Sequence, residues 1–214
     1  MLYLPPAFRE SDVAVLQAQI RAIGFGSLIT TAKDGGILIS QFPVMLDTAI
    51  GTLGQLRCHV SRANPQWRDS DLTKPGIVMF SGPDAYVSPS WYPSKHEHGK
   101  AVPTWNYITI CARGLLEVYD DRESLMAHVT ELTELHEAAF PEPWKVTDAP
   151  TDYMERQLKG IVGFRLTIEA LEGKKKLSQN RSVEDRDGVA EALQATDDPN
   201  ARDIGTLVQA TTQN

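Results

Sequence analysis

The sequence predicts an α+β fold in which an antiparallel β-barrel carries peripheral helices. Short β-rich segments dominate the first two thirds of the chain, and brief turn-forming stretches join them. The order of the segments lacks the strand, helix, strand rhythm of a parallel sheet. A closed or partly closed barrel is the arrangement that removes the exposed edges of such strands.

The N-terminal part of the chain is expected to form one helix and one hairpin after an extended start over residues 1–8. Apolar residues recur every three or four positions over residues 10–23, which predicts an amphipathic helix. Residues 26–32 and 37–46 are rich in β-branched side chains. The segment Lys33-Asp34-Gly35-Gly36 between them supplies the positive φ of a tight turn, so a hairpin is predicted.

The centre of the chain is expected to supply further strands. Residues 51–60 predict one of them. Residues 76–80 and 86–88 predict two strands that face each other across the turn Ser81-Gly82-Pro83-Asp84. Alternation over residues 107–119 predicts a long strand that bends at its one glycine.

The remaining third of the chain mixes helices with a last strand. Residues 121–140 and 152–159 predict helices, and residues 161–171 predict the strand. The composition then becomes acidic and polar, so we expect helices that dock loosely and a frayed end. We therefore expect a barrel domain over residues 1–182 and a helical, acidic extension over residues 183–214.

The charge balance argues against direct nucleic-acid binding. The 214 residues include 28 acidic and 21 basic side chains, for a formal net charge of −7, and this field repels a phosphate backbone. The one dense basic run is Lys174-Lys175-Lys176, with Arg181 close behind it. Such a run is more typical of a solvated strand end or an anion site than of a surface that reads DNA.

Other features of the composition indicate a cytoplasmic protein. The sequence contains no run of eighteen apolar residues, and its N-terminus does not have the regions of a secretory signal. Cys58 and Cys111 each lie in a predicted strand among apolar neighbours, which fits buried thiols in a reducing compartment better than a disulfide framework.

Metal and nucleophile patterns are weak. The segment His96-Glu97-His98 and the residues His128, Glu131 and His136 contain metal-ligand types, but His136 lies eight positions from His128, too far to share one small ion. We expect surface histidines and no metal site. No glycine-rich phosphate loop and no G-x-S-x-G elbow occurs, so a classical nucleotide fold and covalent catalysis are both disfavoured.

Aromatic and hydrogen-bonding side chains are concentrated in SPSWYPS (residues 88–94) and VPTWNY (residues 102–107), with a polar loop expected at residues 94–100. Aromatic faces beside hydroxyls and an amide suit a planar ligand that carries polar groups, although aromatic residues beside prolines also simply pack loops. For the polar candidates, the alternative is a structural role in which each side chain bonds to the backbone of a turn. These candidates are Arg62, Lys100, Thr104, Asn106, Gln179, Asn180 and Arg181.

Five motifs together resemble the PaiB-type, FMN-binding negative transcriptional regulator family. They are MLYLPPAF, SRANPQW, F-x-GP-x-AY-x-SPSWY, VPTWNY and IVGFRLTIEALEGKKKLSQNR, in that order over roughly residues 1–195. Members of this family are split β-barrel flavoproteins, related to pyridoxamine phosphate oxidases and haem-utilisation proteins. The resemblance implies an antiparallel split β-barrel with peripheral helices, and a homodimer with FMN at the interface.

The resemblance also implies where FMN is held. Cationic side chains are expected near its phosphate or ring edge, hydroxyls and aromatic rings along the pocket, and the amides of Gln179 and Asn180 at its closure. The segment His96-Glu97-His98 and the tail after Leu193 match none of the motifs. The implied contacts are Arg62, Ser88, Trp91, Lys100, Thr104, Trp105, Asn106, Gln179, Asn180 and Arg181.

Two functions of different classes remain open at this point. The family implies a transcriptional regulator, yet the sequence contains no helix-turn-helix and its charge opposes DNA contact, so regulation would act indirectly or through a partner. The alternative is a flavin-dependent oxidoreductase, either an NAD(P)H-linked reductase or an oxidase, or a haem-handling protein of the same fold.

Overall fold

The computed structural model describes residues 2–212, apart from the side chain of His98. The predicted frayed C-terminal end therefore lies partly outside the described residues. The chain forms two compact units. The first comprises Met1–Leu16, Ser81–Cys111 and Glu172–Asn214, and the second comprises Gln17–Phe80 and Ala112–Leu171. The domain boundary expected after residue 182 falls inside the first unit.

The strands are β1 (Arg9–Glu10), β2 (Phe25–Thr31), β3 (Ile37–Pro43), β4 (Met45–Asp47), β5 (Gln55–Ser61), β6 (Gly76–Val87), β7 (Thr104–Gly114), β8 (Leu116–Tyr119), β9 (Ile161–Thr167) and β10 (Ala170–Lys176). The α-helices are α1 (Val13–Ile23), α2 (Gln66–Asp69), α3 (Ser94–His98), α4 (Arg122–Glu137), α5 (Thr151–Lys159), α6 (Val183–Gln194) and α7 (Pro199–Ala210). Strands β6 and β7 contribute residues to both units.

The second unit is built on antiparallel sheets. Strands β6, β2 and β3 are neighbours in one sheet, and β4, β5, β9 and β8 form a second one in that order. The predicted hairpin is confirmed, because β2 pairs with β3 from Phe25 opposite Pro43 to Thr31 opposite Ile37. Helix α4 begins after Asp121, whose carboxylate accepts a hydrogen bond from the backbone N–H of Ser124. These elements confirm the predicted mixture of antiparallel strands and helices.

The first unit packs two helices against strand ends. Val87 and Tyr92 share a buried apolar cluster with side chains of α6 and α7, among them Ile204 and Val208. At Gly188 in α6, an added Cβ would lie 2.3 Å from the Trp91 carbonyl oxygen, so only glycine permits this approach. The expectation that the C-terminal helices dock loosely is wrong, because their apolar faces are fully buried.

Two sequence-based assignments near the centre of the chain are wrong. Residues 76–88 do not form two strands around a turn, since β6 continues through Ser81-Gly82-Pro83-Asp84. Sheet pairing overrides the turn preference of these residues. Residues 94–98 form the short helix α3, which ends at Gly99 with φ of 68°, instead of a loop.

Both long predicted strands are divided in the structure. Residues 107–119 split into β7 and β8, which belong to different sheets, and the predicted strand over residues 161–171 splits into β9 and the start of β10. At Gly114 an added Cβ would lie 1.9 Å from the carbonyl oxygen of Thr167, so the backbones meet where the predicted bend becomes a break. Among residues 2–212, no helix has the length and apolar character needed to span a bilayer.

Candidate functional site

The end of β10 places a lysine at the centre of a polar group in the first unit. Lys176 Nζ donates a hydrogen bond to Thr104 Oγ1 at 2.5 Å and another to the carbonyl oxygen of Trp105. Thr104 and Trp105 begin β7, so the C-terminal end of one strand meets the start of another here. Two of the three N–H donors of the ammonium are thereby directed at β7.

A tight turn follows Lys176 and is fixed by side-chain amides. Ser178 has a left-handed backbone with φ of 63°. Its hydroxyl accepts a hydrogen bond from Nδ2 of the fully buried Asn106 at 2.9 Å. Gln179 Oε1 accepts from the N–H of Leu177 and its Nε2 donates to the carbonyl of Lys175. Asn106 and Gln179, both predicted to contact FMN, therefore hold the turn with their amide groups.

This turn brings Arg181 back towards the strand end. The Arg181 guanidinium carbon lies 4.7 Å from the centroid of the buried Tyr92 ring, a cation–π contact. Arg181 and Lys174 are close enough to Lys176 to repel its charge. Partial burial first, and then these two neighbours, hold the pKa of Lys176 below its usual value. We call Lys174, Lys176 and Arg181 the Lys176 cluster.

Exposed aromatic side chains lie at the start of β7. Trp105 is 53% exposed and Tyr86 is 47% exposed, and their rings meet edge to face with centroids 6.0 Å apart. Large rings exposed beside cations and a hydroxyl are the combination that a planar, anionic ligand requires. Thr104, Trp105 and Arg181, three of the predicted contacts, all lie around Lys176.

The remaining predicted contacts have other surroundings. Ser88 accepts a hydrogen bond from the N–H of Ser90 as the cap of the 3₁₀ turn that ends at Trp91. Lys100 follows Gly99 and is exposed, and Asn180 is exposed in the turn after β10.

Arg62 lies in the second unit. Its guanidinium donates to the carbonyl oxygens of Lys159 and Ile161 and to the carboxylate of Asp120, at 2.9, 3.1 and 3.1 Å. Three partners within its own unit therefore already engage this side chain.

A cavity in the second unit was not anticipated from the sequence. It has a volume of about 410 Å³, and polar side chains line it together with Phe42, Pro43, Val60 and Ile161. The polar lining residues are Gln41, His59, Ser61, Asn64 and Gln157. They come from three separate parts of the chain, and no local pattern links them.

His59, which lines this cavity, is paired with a second imidazole. His59 Nδ1 lies 3.1 Å from Nε2 of His128 on α4. His128 is fully buried, so its prediction as a surface histidine is wrong. Burial, followed by His59 and Arg57, lowers the pKa of His128 to about 4, and burial lowers the pKa of His59. Within residues 2–212, no three His, Cys, Asp or Glu residues are grouped to hold a metal ion.

Comparisons with known proteins identify relatives over most of the chain. A family model described as "Putative FMN-binding domain" matches residues 2–170. The chain is 30% identical to the protease synthase and sporulation protein PAI 2 of Bacillus subtilis, with 97% of each chain covered. It is 35% identical to the uncharacterized protein AN0679 of Emericella nidulans, with 88% of each covered.

Solved structures with low sequence identity share the fold. The flavocytochrome Anf3 from Azotobacter vinelandii matches with a TM-score of 0.58 at 11% identity, covering 78% of this chain and 69% of that one. The FAD and heme binding protein from Mycobacterium smegmatis matches with a TM-score of 0.56 at 15% identity, covering 78% and 73%. The predicted antiparallel split β-barrel with peripheral helices is confirmed.

Proposed function

We propose that this chain, which belongs to the FMN-binding domain family and is related to PaiB, is an FMN-binding regulator that acts through a partner and not through its own contact with DNA. The match to the family model over residues 2–170 carries this proposal, because it spans most of the chain. The relation to PAI 2 over nearly the whole length of both proteins supports the regulatory part.

The side chains around Lys176 fit the chemistry of FMN. A phosphate requires cationic and hydroxyl donors, which Lys176, Arg181 and Thr104 supply. The isoalloxazine ring requires a flat apolar surface, which the half-exposed ring of Trp105 offers, with the Tyr86 ring packed edge to face beside it. Asn106 and Gln179 would act by holding the turn that presents Arg181. When bound, FMN supplies reversible electron transfer, and the protein positions it.

The visible spectrum of the freshly purified protein tests cofactor binding. We expect the absorption bands of a bound flavin, and release of FMN when the protein is denatured. The double variant Thr104→Ala, Arg181→Ala should lose most of this absorbance, because it removes a hydroxyl and a guanidinium from the fitted site. Bands of unchanged intensity in that variant would contradict the assignment of these residues.

The regulatory role is separated from an enzymatic one by two assays. The net charge of −7 opposes binding to a phosphate backbone, so we expect no gel shift of promoter DNA at about 0.2 M salt. A shift that survives this salt concentration would contradict action through a partner. Rapid bleaching of the flavin by NADH or NADPH would instead indicate the alternative function, a flavin-dependent oxidoreductase.

We also propose a homodimer, which the family resemblance implies. Strand β3 lies at the edge of its sheet, and Ile37 and Ile39 on it are 72% and 64% exposed. Apolar side chains exposed on a regular edge strand favour pairing with another chain. Light scattering coupled to size exclusion should report a dimer, and Ile39→Lys should shift it towards the monomer. A monomeric wild-type protein would refute the proposed homodimer.

A cytoplasmic location is the remaining part of the proposal. Cys58 is buried and Cys111 is half-buried, and neither forms a disulfide. Free thiols inside strands are compatible with a reducing compartment. Fractionation of cells that express the tagged protein tests this assignment.

A further inference from the structure

The Lys176 cluster carries positive charge that no ion pair among the described residues neutralises. Within residues 2–212, none of the observed ion pairs includes Lys174, Lys176 or Arg181. The neighbouring lysine on the same strand shows the contrast. Lys175 points to the other side of β10 and pairs with Glu10 at 3.0 Å. Lys175 is therefore paired on one face of β10, whereas Lys174 and Lys176 lie on the other face near Arg181.

This arrangement is energetically costly in the absence of an anion. Lys174 is only 8% exposed, and the rings of Tyr3 and Tyr107, whose centroids lie 5.2 Å from its Nζ, offset only part of the cost of burying its charge. Lys176 is partly buried, and its ammonium is repelled by the two other cations. Burying like charges together without a counter-charge opposes folding, and such clusters are concentrated at functional sites. The chain as a whole carries a net charge of −7, so the grouping of three cations here contrasts with the acidic character of the rest of the protein.

The donors around the cluster define the kind of anion. Lys176 has a third N–H donor beyond the two directed at Thr104 and Trp105. Arg181 brings a planar guanidinium, which matches two oxygens of one oxyanion, and Thr104 brings a hydroxyl. Several donors on one side suit a doubly charged group with several oxygens better than a single carboxylate.

We propose that the Lys176 cluster, with the Thr104 hydroxyl, is an oxyanion subsite that takes the phosphate group of a phosphate-bearing ligand. The phosphate has two possible sources, FMN itself or a separate phosphorylated ligand. The subsite extends the proposed flavin function, and it can be tested even if FMN does not bind.

The central experiment compares FMN with riboflavin, which lacks the phosphate. Affinities of wild-type protein, Lys176→Gln and Lys176→Arg are measured by flavin fluorescence quenching. If the cofactor supplies the phosphate, Lys176→Gln should weaken FMN binding by about 10- to 100-fold and leave riboflavin binding unchanged. Lys176→Arg should retain most of the affinity for FMN, because it keeps the charge and the donors.

Lys175→Gln is the matched control. It removes one positive charge from the adjacent position, so it changes the net charge equally, but its side chain is paired with Glu10 and lies on the other side of the strand. FMN affinity should stay within about 2-fold of the wild type in this variant. Thermal melting of each ligand-free variant shows whether it is folded.

A second arm uses inorganic phosphate, measured as the rise in melting temperature against chloride at equal ionic strength. Loss of the phosphate effect in Lys176→Gln, with FMN and riboflavin affinities unchanged, would support the subsite and assign it to a separate ligand. This arm also separates the two proposals, because it reports on the subsite in a protein that fails to bind FMN.

Two results would overturn the subsite. An equal loss of FMN and riboflavin affinity in Lys176→Gln would show that the cluster does not distinguish the phosphate. Unchanged FMN, riboflavin and phosphate binding in Lys176→Gln would show that these cations take no oxyanion.

Discussion

Two groups of charged and titratable side chains in this protein are built in opposite ways. In the second unit, two side chains of α4 contact strand β5: Glu131 pairs with Arg57 at 2.5 Å, and His128 lies against His59. We call these four residues the α4 layer. In the first unit, the Lys176 cluster brings together three cations without an acidic partner among the described residues.

The difference separates a stabilising arrangement from a binding one. Each member of the α4 layer has a partner in the protein, so its removal should reduce stability. The Lys176 cluster has unsatisfied charge, so its removal should change ligand binding and leave the ligand-free protein nearly as stable. Stability measurements on both regions therefore test this distinction: substitutions in the α4 layer should destabilise the protein, and substitutions in the Lys176 cluster should not.

The largest expected effect concerns the apolar contact beside the α4 layer. Leu125 of α4 is 1% exposed and packs with Tyr119 and Leu158. Leu125→Ala should lower the free energy of unfolding by about 2–5 kcal/mol, because it leaves a cavity in the core. Urea denaturation measures the loss. Leu135→Ala, on the exposed face of the same helix, should change it by less than about 0.5 kcal/mol, and a similar loss in both variants would contradict this assignment.

The next effect is a loss of stability in acid. His128 has a pKa of about 4 in the folded protein against an ordinary value of 6.5. The unfolded chain therefore binds more protons between these values, so stability should fall as the pH falls from about 6.5 to about 4, by about 3 kcal/mol in total.

Melting temperatures across this pH range, compared with those of His128→Gln, isolate the contribution of His128. The variant should show a shallower decline, while His136→Gln, which removes an exposed histidine from the same helix, should follow the wild type. Parallel curves for wild-type protein and His128→Gln would refute the role of the buried imidazole.

A smaller effect is expected for the ion pair of the α4 layer. The side chain of Arg57 is 19% exposed and that of Glu131 is 45% exposed, so solvent screens part of their attraction. Glu131→Gln should cost about 1 kcal/mol in urea denaturation at low salt, and less at high salt. A salt-independent loss would show that packing, and not charge, causes it.

The smallest effect is expected in the Lys176 cluster. Lys176→Gln removes two hydrogen bonds and also relieves repulsion from Lys174 and Arg181, so the two changes offset each other. The free energy of unfolding of the ligand-free protein should change by less than about 0.5 kcal/mol. Urea denaturation without flavin or phosphate measures it, and a loss above about 2 kcal/mol would place Lys176 among the stabilising residues.

Local patterns predicted the elements whose signals lie close together in sequence. The hairpin of β2 and β3 follows from the two glycines between two β-rich segments, and α4 follows from its apolar period. The turn expected within residues 81–84 failed because pairing with neighbouring strands keeps those residues extended. Turn preference is a local quantity, and strand pairing is not.

The candidate site shows the same division. Motif resemblance implies that Thr104, Trp105 and Arg181 contact the ligand. In the structure Lys176 bonds to the first two, and the charge of Arg181 acts on the same lysine. In the sequence Lys176 is only one member of a basic run, because a separation of 72 residues leaves no local signal of its contact with Thr104. The pairing of His59 with His128, 69 residues apart, was missed for the same reason.

Ser178 limits how far the turn after β10 can vary. Its backbone has the left-handed φ that glycine adopts without strain, while its hydroxyl satisfies the buried amide of Asn106. Glycine would meet the first requirement and fail the second, and alanine would fail both. A saturation library at this one position, selected for folded protein, should consequently return mostly serine. Residue 178 should therefore tolerate few substitutions although it need not touch any ligand.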